Sequence, residues 1–223
     1  MPEWPTTADD LIAVQEALAT ERPEPWEFAP DALVAGCFVT FPKGLTGPGA
    51  PGDPVWAGAA AFRGRSCVAR ATATGTTRWR YQPGLLALRI GPVLERVVRD
   101  LSVRPDVLLV DATGRDHPRR CGLAVQLGAA LSMPTVGVTH RTLLTDGALP
   151  ADERGATSPL VLGDSLVAYW VRTRPGRRPI AVHAGWRTDP DVAVRVVLAH
   201  SKHRTARPIR EARRLARLAR AAG

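Results

Sequence analysis

The sequence predicts an α/β protein with one mixed sheet, an antiparallel three-strand meander followed by parallel strands, flanked by helices. Two observations carry this prediction. Three strand-like segments, 32–41, 55–62 and 66–74, follow one another with only loops and turns between them, the order of a meander. Beyond them, helical patterns alternate with the short apolar runs 107–110 and 135–138. A strand–helix–strand–helix–strand order makes the later strands parallel. At 223 residues the chain suits one domain, 1–223, with an N-terminal helix over 7–20, a core over 32–200 and a basic C-terminal helix over 208–223.

Taken in order, Thr7 caps a first helix carrying Leu11, Val14 and Leu18 on one face. Asp9 and Asp10 lie in its first turn, where the helix dipole favours negative charge. The prolines of 22–30 make a broken connector. The loop KGLTGPGAPGDP is too rich in glycine and proline to extend either of the strands it joins, whereas Arg63-Gly64-Arg65 makes a tight hairpin between the second and third. Val93, Leu94, Val97, Val98 and Leu101 recur at helical spacing, with Pro92 tolerated in the first turn. Another helix starts near Gly122. Segments 166–171 and 180–183 read as two more strands, and Thr188-Asp189-Pro190 opens a helix holding Val192, Val196 and Val197. From Ile209 the tail is an arginine-rich amphipathic helix.

The formal net charge of +9 favours a polyanionic partner such as nucleic acid. Lys43 and Lys202 are the only lysines, however, and an arginine-dominated charge in an Ala-, Gly- and Pro-rich chain is also a product of coding bias. Cys37, Cys67 and Cys121 are odd in number and not close-spaced, so they read as thiols rather than a disulfide framework. The start MPEWPTTADD has prolines and acids where a signal peptide needs a basic start and an apolar stretch. No apolar run approaches membrane-spanning length. A cytoplasmic, monomeric protein with no membrane partner is the expectation.

The most informative stretch is VLLVDATGRDHPRRCGLAVQLG, Val107 to Gly128. A buried strand delivers Asp111 to its C-terminal end, beside a turn and the cluster His117-Pro118-Arg119-Arg120. A carboxylate so placed suits a metal ion, and the arginines suit phosphates. Equally, an aspartate initiates turns and a basic loop is at home in solvent.

Several segments in collinear order extend the comparison: VAGCFVTF (34–41), YQPGLLALR (81–89), the stretch 105–128, PTVGVTH (134–140), RTRPGRRPIAVHAGWR (172–187), and Pro208, Arg210 and Ala212. Together they resemble the endonuclease V family of DNA and RNA repair nucleases, and with it the ribonuclease H-like fold. The resemblance covers nearly the whole chain. It implies strand cleavage near inosine, the deaminated form of adenosine, with magnesium or manganese. In such chemistry clustered carboxylates hold hard cations that activate water and stabilise the leaving oxygen. It also implies recognition by base extrusion, a side-chain wedge filling the vacated stack while a pocket reads the flipped base.

Carried over position by position, most of the catalytic set is missing. The family's first-strand aspartate falls on Phe38, its glutamate on Ile90, a late histidine on Trp186, a lysine on His140 and a turn histidine on Thr113. Asp111 alone remains of the metal-binding carboxylates, too little charge to hold a catalytic magnesium unless substrate phosphates supply the rest. Phe38, Ile90 and Trp186 are expected to converge and fill the metal position with apolar surface. Glu95 lies more than one turn from Ile90 and faces elsewhere, and Asp116 reaches Asp111 only if its loop slides. Thr40, His117 and His140 are the polar groups within reach, with His140 expected to pair with Asp111. Asp111 and His140 are therefore the catalytic candidates, and Asp111 the metal-ligand candidate.

The recognition parts are better kept. Tyr81 and Pro83 stand at the family's wedge, and Gly84 and Leu86 at the loop lining its base pocket; the turn glycine is Ala112, an exchange that narrows the pocket. His117, Arg119 and Arg120 match its His-Pro-Arg motif, the arginines as phosphate clamps. The alternatives are a half-buried loop anchor for Tyr81 and a solvated face for the arginines. The tail arginines of 207–220 either add phosphate contacts or ride on a helix that docks on the core. The reading is a nucleic-acid-binding member of this family, for DNA or RNA, with metal-dependent cleavage and its cofactor lost. A divergent active nuclease using magnesium or manganese is the enzyme alternative, and a scaffold binding protein on the same face is the third.

Overall fold

The computed structural model describes residues 4–222; residues 1–3 and Gly223, the last residue of the expected tail helix, lie outside them. The elements are α1 (Ala8–Thr20), β1 (Leu33–Thr40), β2 (Pro54–Arg63), β3 (Ser66–Thr76), α2 (Leu86–Arg99), β4 (Val107–Val110), α3 (Leu123–Leu131), β5 (Thr135–Thr139), β6 (Thr157–Leu162), β7 (Ser165–Val171), β8 (Ile180–Ala184), α4 (Pro190–Ala199) and α5 (Arg207–Ala222). The eight strands form one sheet in the order β3-β2-β1-β4-β5-β8-β7-β6. Among the described residues no helix is long and apolar enough to cross a membrane.

The early meander forms as expected, β1–β2 and β2–β3 pairing antiparallel, and β4 lies parallel to both β1 and β5. The expectation that parallel strands complete the sheet fails beyond β5. β8 is antiparallel to β5, and β7 and β6 continue antiparallel from it. Two meanders thus flank a parallel centre. β6 escaped the sequence because TSPLVL contains Pro159 and has Leu160 as its one fully buried residue. Such a strand has little apolar pattern of its own and exists at the sheet edge by pairing with β7.

Pro92 is also placed differently. α2 begins at Leu86, so the proline lies inside the helix rather than in its first turn. The apolar face is continuous across it, from Ala87, Leu88 and Ile90 to Val93, Leu94, Val97 and Val98. Burial of that face outweighs the hydrogen bond that proline cannot donate. At the other end of the sequence, Thr7 caps α1 as expected, its Oγ1 accepting from the Asp10 N–H at 3.2 Å.

Strand alternation divides the interior into two layers. Cys37, Leu108 and Val110 face α1, α2 and α3 with Leu11, Leu88 and Leu127. Val34, Val107 and Leu109 face the other way, with Val196 of α4 and Ile209 of α5. The tail therefore docks on the core. α5 buries Pro208, Ile209, Ala212 and Ala216, a narrow stripe in which only Ile209 is large. It descends onto β1 and β2 where they carry glycine: a Cβ on Gly36 would lie 2.5 Å from the Ile209 N, and one on Gly58 2.3 Å from the Ala212 O. Gly58 is the cross-strand neighbour of Phe38, so this close approach decides what lies over Phe38.

Gly58→Ala should lift α5 from the sheet and lower stability by about 1–3 kcal/mol in urea denaturation. A stability equal to wild type would show that the close approach has slack.

Candidate functional site

Two places on the C-terminal side of the parallel strands matter: the end of β4 and the cleft beside it. Val107 and Leu109 point toward α4 and α5, and Asp111 continues that series just past the strand. Because Cys37 pairs with Val110, Phe38 is the residue beside Asp111 on β1. Arg213 reaches from α5 to both. Its guanidinium carbon lies 4.7 Å from the centre of the Phe38 ring, and its Nη2 lies 3.8 Å from the Asp111 Oδ2. The Nε of the same guanidinium is buried without a hydrogen-bond partner. Burial pushes the Asp111 carboxyl up, and Arg213 opposes the shift.

Several expectations for this place are corrected. The ion-pair partner of Asp111 is Arg213, not His140, which lies on an exposed loop beside Arg141, Trp170 and Arg178. The three apolar replacements do not converge. Phe38 packs in the layer under α4 and α5, Ile90 in the layer under α1 to α3, and Trp186 with Leu18, Cys121 and Val125. Alternation and helix phase send them to different layers although one family site links their positions.

Asp116 is fully buried and does not slide toward Asp111. Its carboxylate accepts N–H groups of Leu143, Leu144 and Thr145 and so anchors the loop after β5. Glu95 faces elsewhere as expected, bonded to the Trp4 Nε1 and to Arg99. Among the described residues no three His, Cys, Asp or Glu side chains converge as a metal would need. One carboxylate already facing a guanidinium does not fit a divalent cation, which takes several oxygen ligands.

The cleft has a volume of about 320 Å³ and gathers Tyr81, Gly84, Leu86, Asp111, Ala112, Thr113 and His117, with Gln126 and Leu143. Its upper rim is the loop before α2. Arg89, buried in the first turns of α2, donates to the Trp79 O at 2.7 Å, pairs with Asp53 at 3.0 Å and stacks 4.7 Å over Phe41. The loop so held presents Tyr81 and Pro83 to solvent, Tyr81 with 47% of its surface exposed. Gly84 follows with φ of +78°, a conformation that glycine adopts without strain.

The Gly84 carbonyl accepts from three side chains: the Gln15 Nε2 at 3.0 Å, the Arg119 Nη2 at 3.1 Å and the His117 Nε2 at 3.1 Å. Arg119 also donates through Nε to the Gln15 Oε1. Arg119 is thus a loop clasp in the structure, and Arg120 likewise donates to the Leu162 O at 2.5 Å. The sequence placed these arginines near the right loop but not their guanidiniums, which are held by carbonyls.

His117 accepts from the Arg119 N–H at Nδ1, so its proton sits on Nε2 and the ring is neutral. Burial agrees, pushing its pKa down to about 4. Gln126 is nearly fully buried. Its Nε2 donates to the Cys121 O at 3.0 Å, while its Oε1 has no partner. Gln15, Gln126 and Arg213 were missed in the sequence. Gln15 alone had a visible signal, being a polar residue between Leu11 and Leu18 on the apolar face of α1.

His117 and the fully buried His183 are both pushed to about 4, chiefly by burial. A histidine in the unfolded chain takes up its proton near pH 6.5. Their contribution to stability is therefore complete above about pH 6.5 and is lost as pH falls toward 4. Denaturation at pH 7 and pH 5 should differ by on the order of 2 kcal/mol per histidine. His117→Gln should remove its share, and an unchanged pH profile in that variant would contradict the neutral, buried assignment.

Comparison with known proteins bears on the family and the fold. The chain matches the family model for endonuclease V over residues 20–214. Endonuclease V from Streptomyces avermitilis is 33% identical over 221 residues, covering 97% of this chain and 93% of that protein. The protein of the same name from Roseiflexus sp. (strain RS-1) is 32% identical over 198 residues, 88% of this chain and 85% of its own. The crystal structure of the Streptomyces avermitilis protein superposes with a TM-score of 0.87 at 32% identity, covering 100% of this chain and 98% of that one. The catalytic domain of human endonuclease V gives 0.83 at 26% identity, over 97% and 98% of the two chains. Ciona intestinalis endonuclease V, in complex with a DNA 24-mer containing inosine, shares the fold with a TM-score of 0.78 at 19% identity, over 96% and 98%. With this ribonuclease H-like sheet and a family match over most of its length, the chain belongs to the endonuclease V family.

Proposed function

We propose that this member of the endonuclease V family binds inosine-containing nucleic acid and does not cut it. The observation that carries the reading is Arg213, whose guanidinium stands against Asp111 and over Phe38. The counter-charge to the strand-end carboxylate is part of the chain, and among the described residues no three His, Cys, Asp or Glu side chains gather to hold a magnesium or manganese ion.

The cleft supports the binding half of the proposal. Its volume lies in the range of small-molecule clefts, roughly 300–1,000 Å³. Exposed Tyr81 at the rim fills the stack that an extruded base vacates, and Ala112, Thr113 and Gly84 border the space that the base enters. The Ciona relative bound to inosine-containing DNA supports the same substrate class. Gln126 offers the reader. Hypoxanthine carries N1–H where adenine has an N1 lone pair, so the Gln126 Oε1, buried behind the cleft wall and unpartnered, accepts from the first once the side chain turns toward an entering base and is left unpaired by the second.

The test combines cleavage with binding on inosine-containing single- and double-stranded oligonucleotides. The strands should stay intact with magnesium or manganese, for wild type and Asp111→Ala alike. Affinity should fall steeply with salt and be indifferent to magnesium. Manganese-dependent cutting that Asp111→Ala abolishes would refute the proposal. Tyr81→Ala should weaken the preference for inosine over adenosine, and Gln126→Leu should reduce it roughly fivefold, the worth of about 1 kcal/mol. An unaltered preference in either variant removes that residue from recognition.

A further inference from the structure

A second depression, of about 290 Å³, adjoins the cleft and is lined by His140, Arg141, Thr142, Leu149, Trp170 and Arg178. Arg141 and Thr142 border both, so the two spaces are continuous along the surface. We propose that this depression holds a nucleotide flanking the extruded base in a single strand, with Trp170 as the stacking platform and Arg141 and Arg178 on the adjacent phosphates. The inference rests on the nucleic-acid reading above.

Trp170 is held where a platform needs to be. It belongs to β7, paired with Ser158 of β6 on one side and Ala181 of β8 on the other. One part of the indole packs against the cluster of Leu160, Val167, Ala168 and Ala181, while the side chain also lines the depression. A half-buried tryptophan of this kind loses little freedom when a base stacks on it. Leu149, 62% exposed at the rim, adds apolar surface beside it.

The charge points to phosphate. No carboxylate lines the depression. Arg141 and Arg178 are exposed, and among the described residues neither guanidinium makes a hydrogen bond or ion pair within the chain. Their backbones are nevertheless fixed. The Thr139 Oγ1 donates to the Arg141 carbonyl at 2.6 Å, and the Arg204 Nε to the Arg178 carbonyl at 2.9 Å. Arg119 and Arg120 spend their guanidiniums inside the fold, whereas these two are pre-placed and unspent. An aromatic face between unpaired arginines is the composition of single-strand sites that tolerate any base. Continuity with the base cleft favours a nucleic-acid strand over a protein segment.

The experiment measures affinity for short single strands with the inosine at the 5′ end, at the centre or at the 3′ end. Trp170→Ala should weaken binding roughly tenfold for the central position and for one terminal position, the one whose flank runs over the depression. Trp170→Phe should keep most of the affinity. Arg178→Gln, on an exposed loop where folding is not at risk, should flatten the salt dependence of affinity by about 0.7 in log–log slope for those same strands. Unchanged affinity in Trp170→Ala and Arg178→Gln, with Tyr81→Ala still erasing inosine preference, overturns this inference and leaves the functional reading standing. An equal loss for all three strands in both variants also overturns it. Wild-type protein that binds none of the strands overturns both.

Discussion

The close seating of α5 on the glycines of β1 and β2 is the contact on which much of this structure depends. Without side chains at Gly36 and Gly58, the helix backbone comes within contact of the sheet backbone, and the small residues Ala212 and Ala216 complete the fit. The helix is then fastened along its length. Glu211 pairs with Arg70 of β3, and Arg220 donates to the Thr40 hydroxyl and the Phe41 carbonyl. Between these fixed points Arg213 has little choice but to lie over Phe38 and beside Asp111. A helix that packs for apolar reasons thereby delivers a cation to a carboxylate that would otherwise face partial burial alone.

A second organising contact is the Gly84 carbonyl. Three donors from two separate segments meet on one oxygen, so α1, the loop before α2 and the His-Pro-Arg loop are tied together at the cleft wall. Asp116 does the same for the opposite wall by accepting three consecutive backbone N–H groups. Both arrangements use polar groups that look functional in isolation. Their bonds are internal, and their effect is to hold open a cleft between anchored loops.

That distinction explains which parts of the site were legible. Asp111 was readable because a four-residue apolar run must be a buried strand, and the residue after it must stand at the strand end. Tyr81 drew notice because its loop motif resembles a family wedge, and the structure leaves its side chain 47% exposed at the cleft rim. The internal partners of Arg119 and Arg120 were not legible, because a basic loop announces its charge but not its partners; the carbonyls of Gly84 and Leu162 belong to other segments. His140 was paired with Asp111 on proximity along the family pattern, whereas the loop after β5, pinned by Asp116, places it beside Trp170. Gln126 carried no signal at all, since only its three-dimensional surroundings leave one amide oxygen unpartnered.

The sequence by itself determined the first meander, the parallel centre of the sheet, the carboxylate at the end of β4 and the amphipathic tail. These follow from short-range patterns: side-chain alternation, helical periodicity, and turn residues at fixed offsets. Only the tertiary structure decided the antiparallel second half of the sheet, the interior place of Pro92 in α2, and the separation of Phe38, Ile90 and Trp186 into different layers. It also decided that Asp111 meets Arg213. Each of these depends on contacts between segments far apart in the chain, whose strength comes from joint burial and close packing rather than from any local pattern.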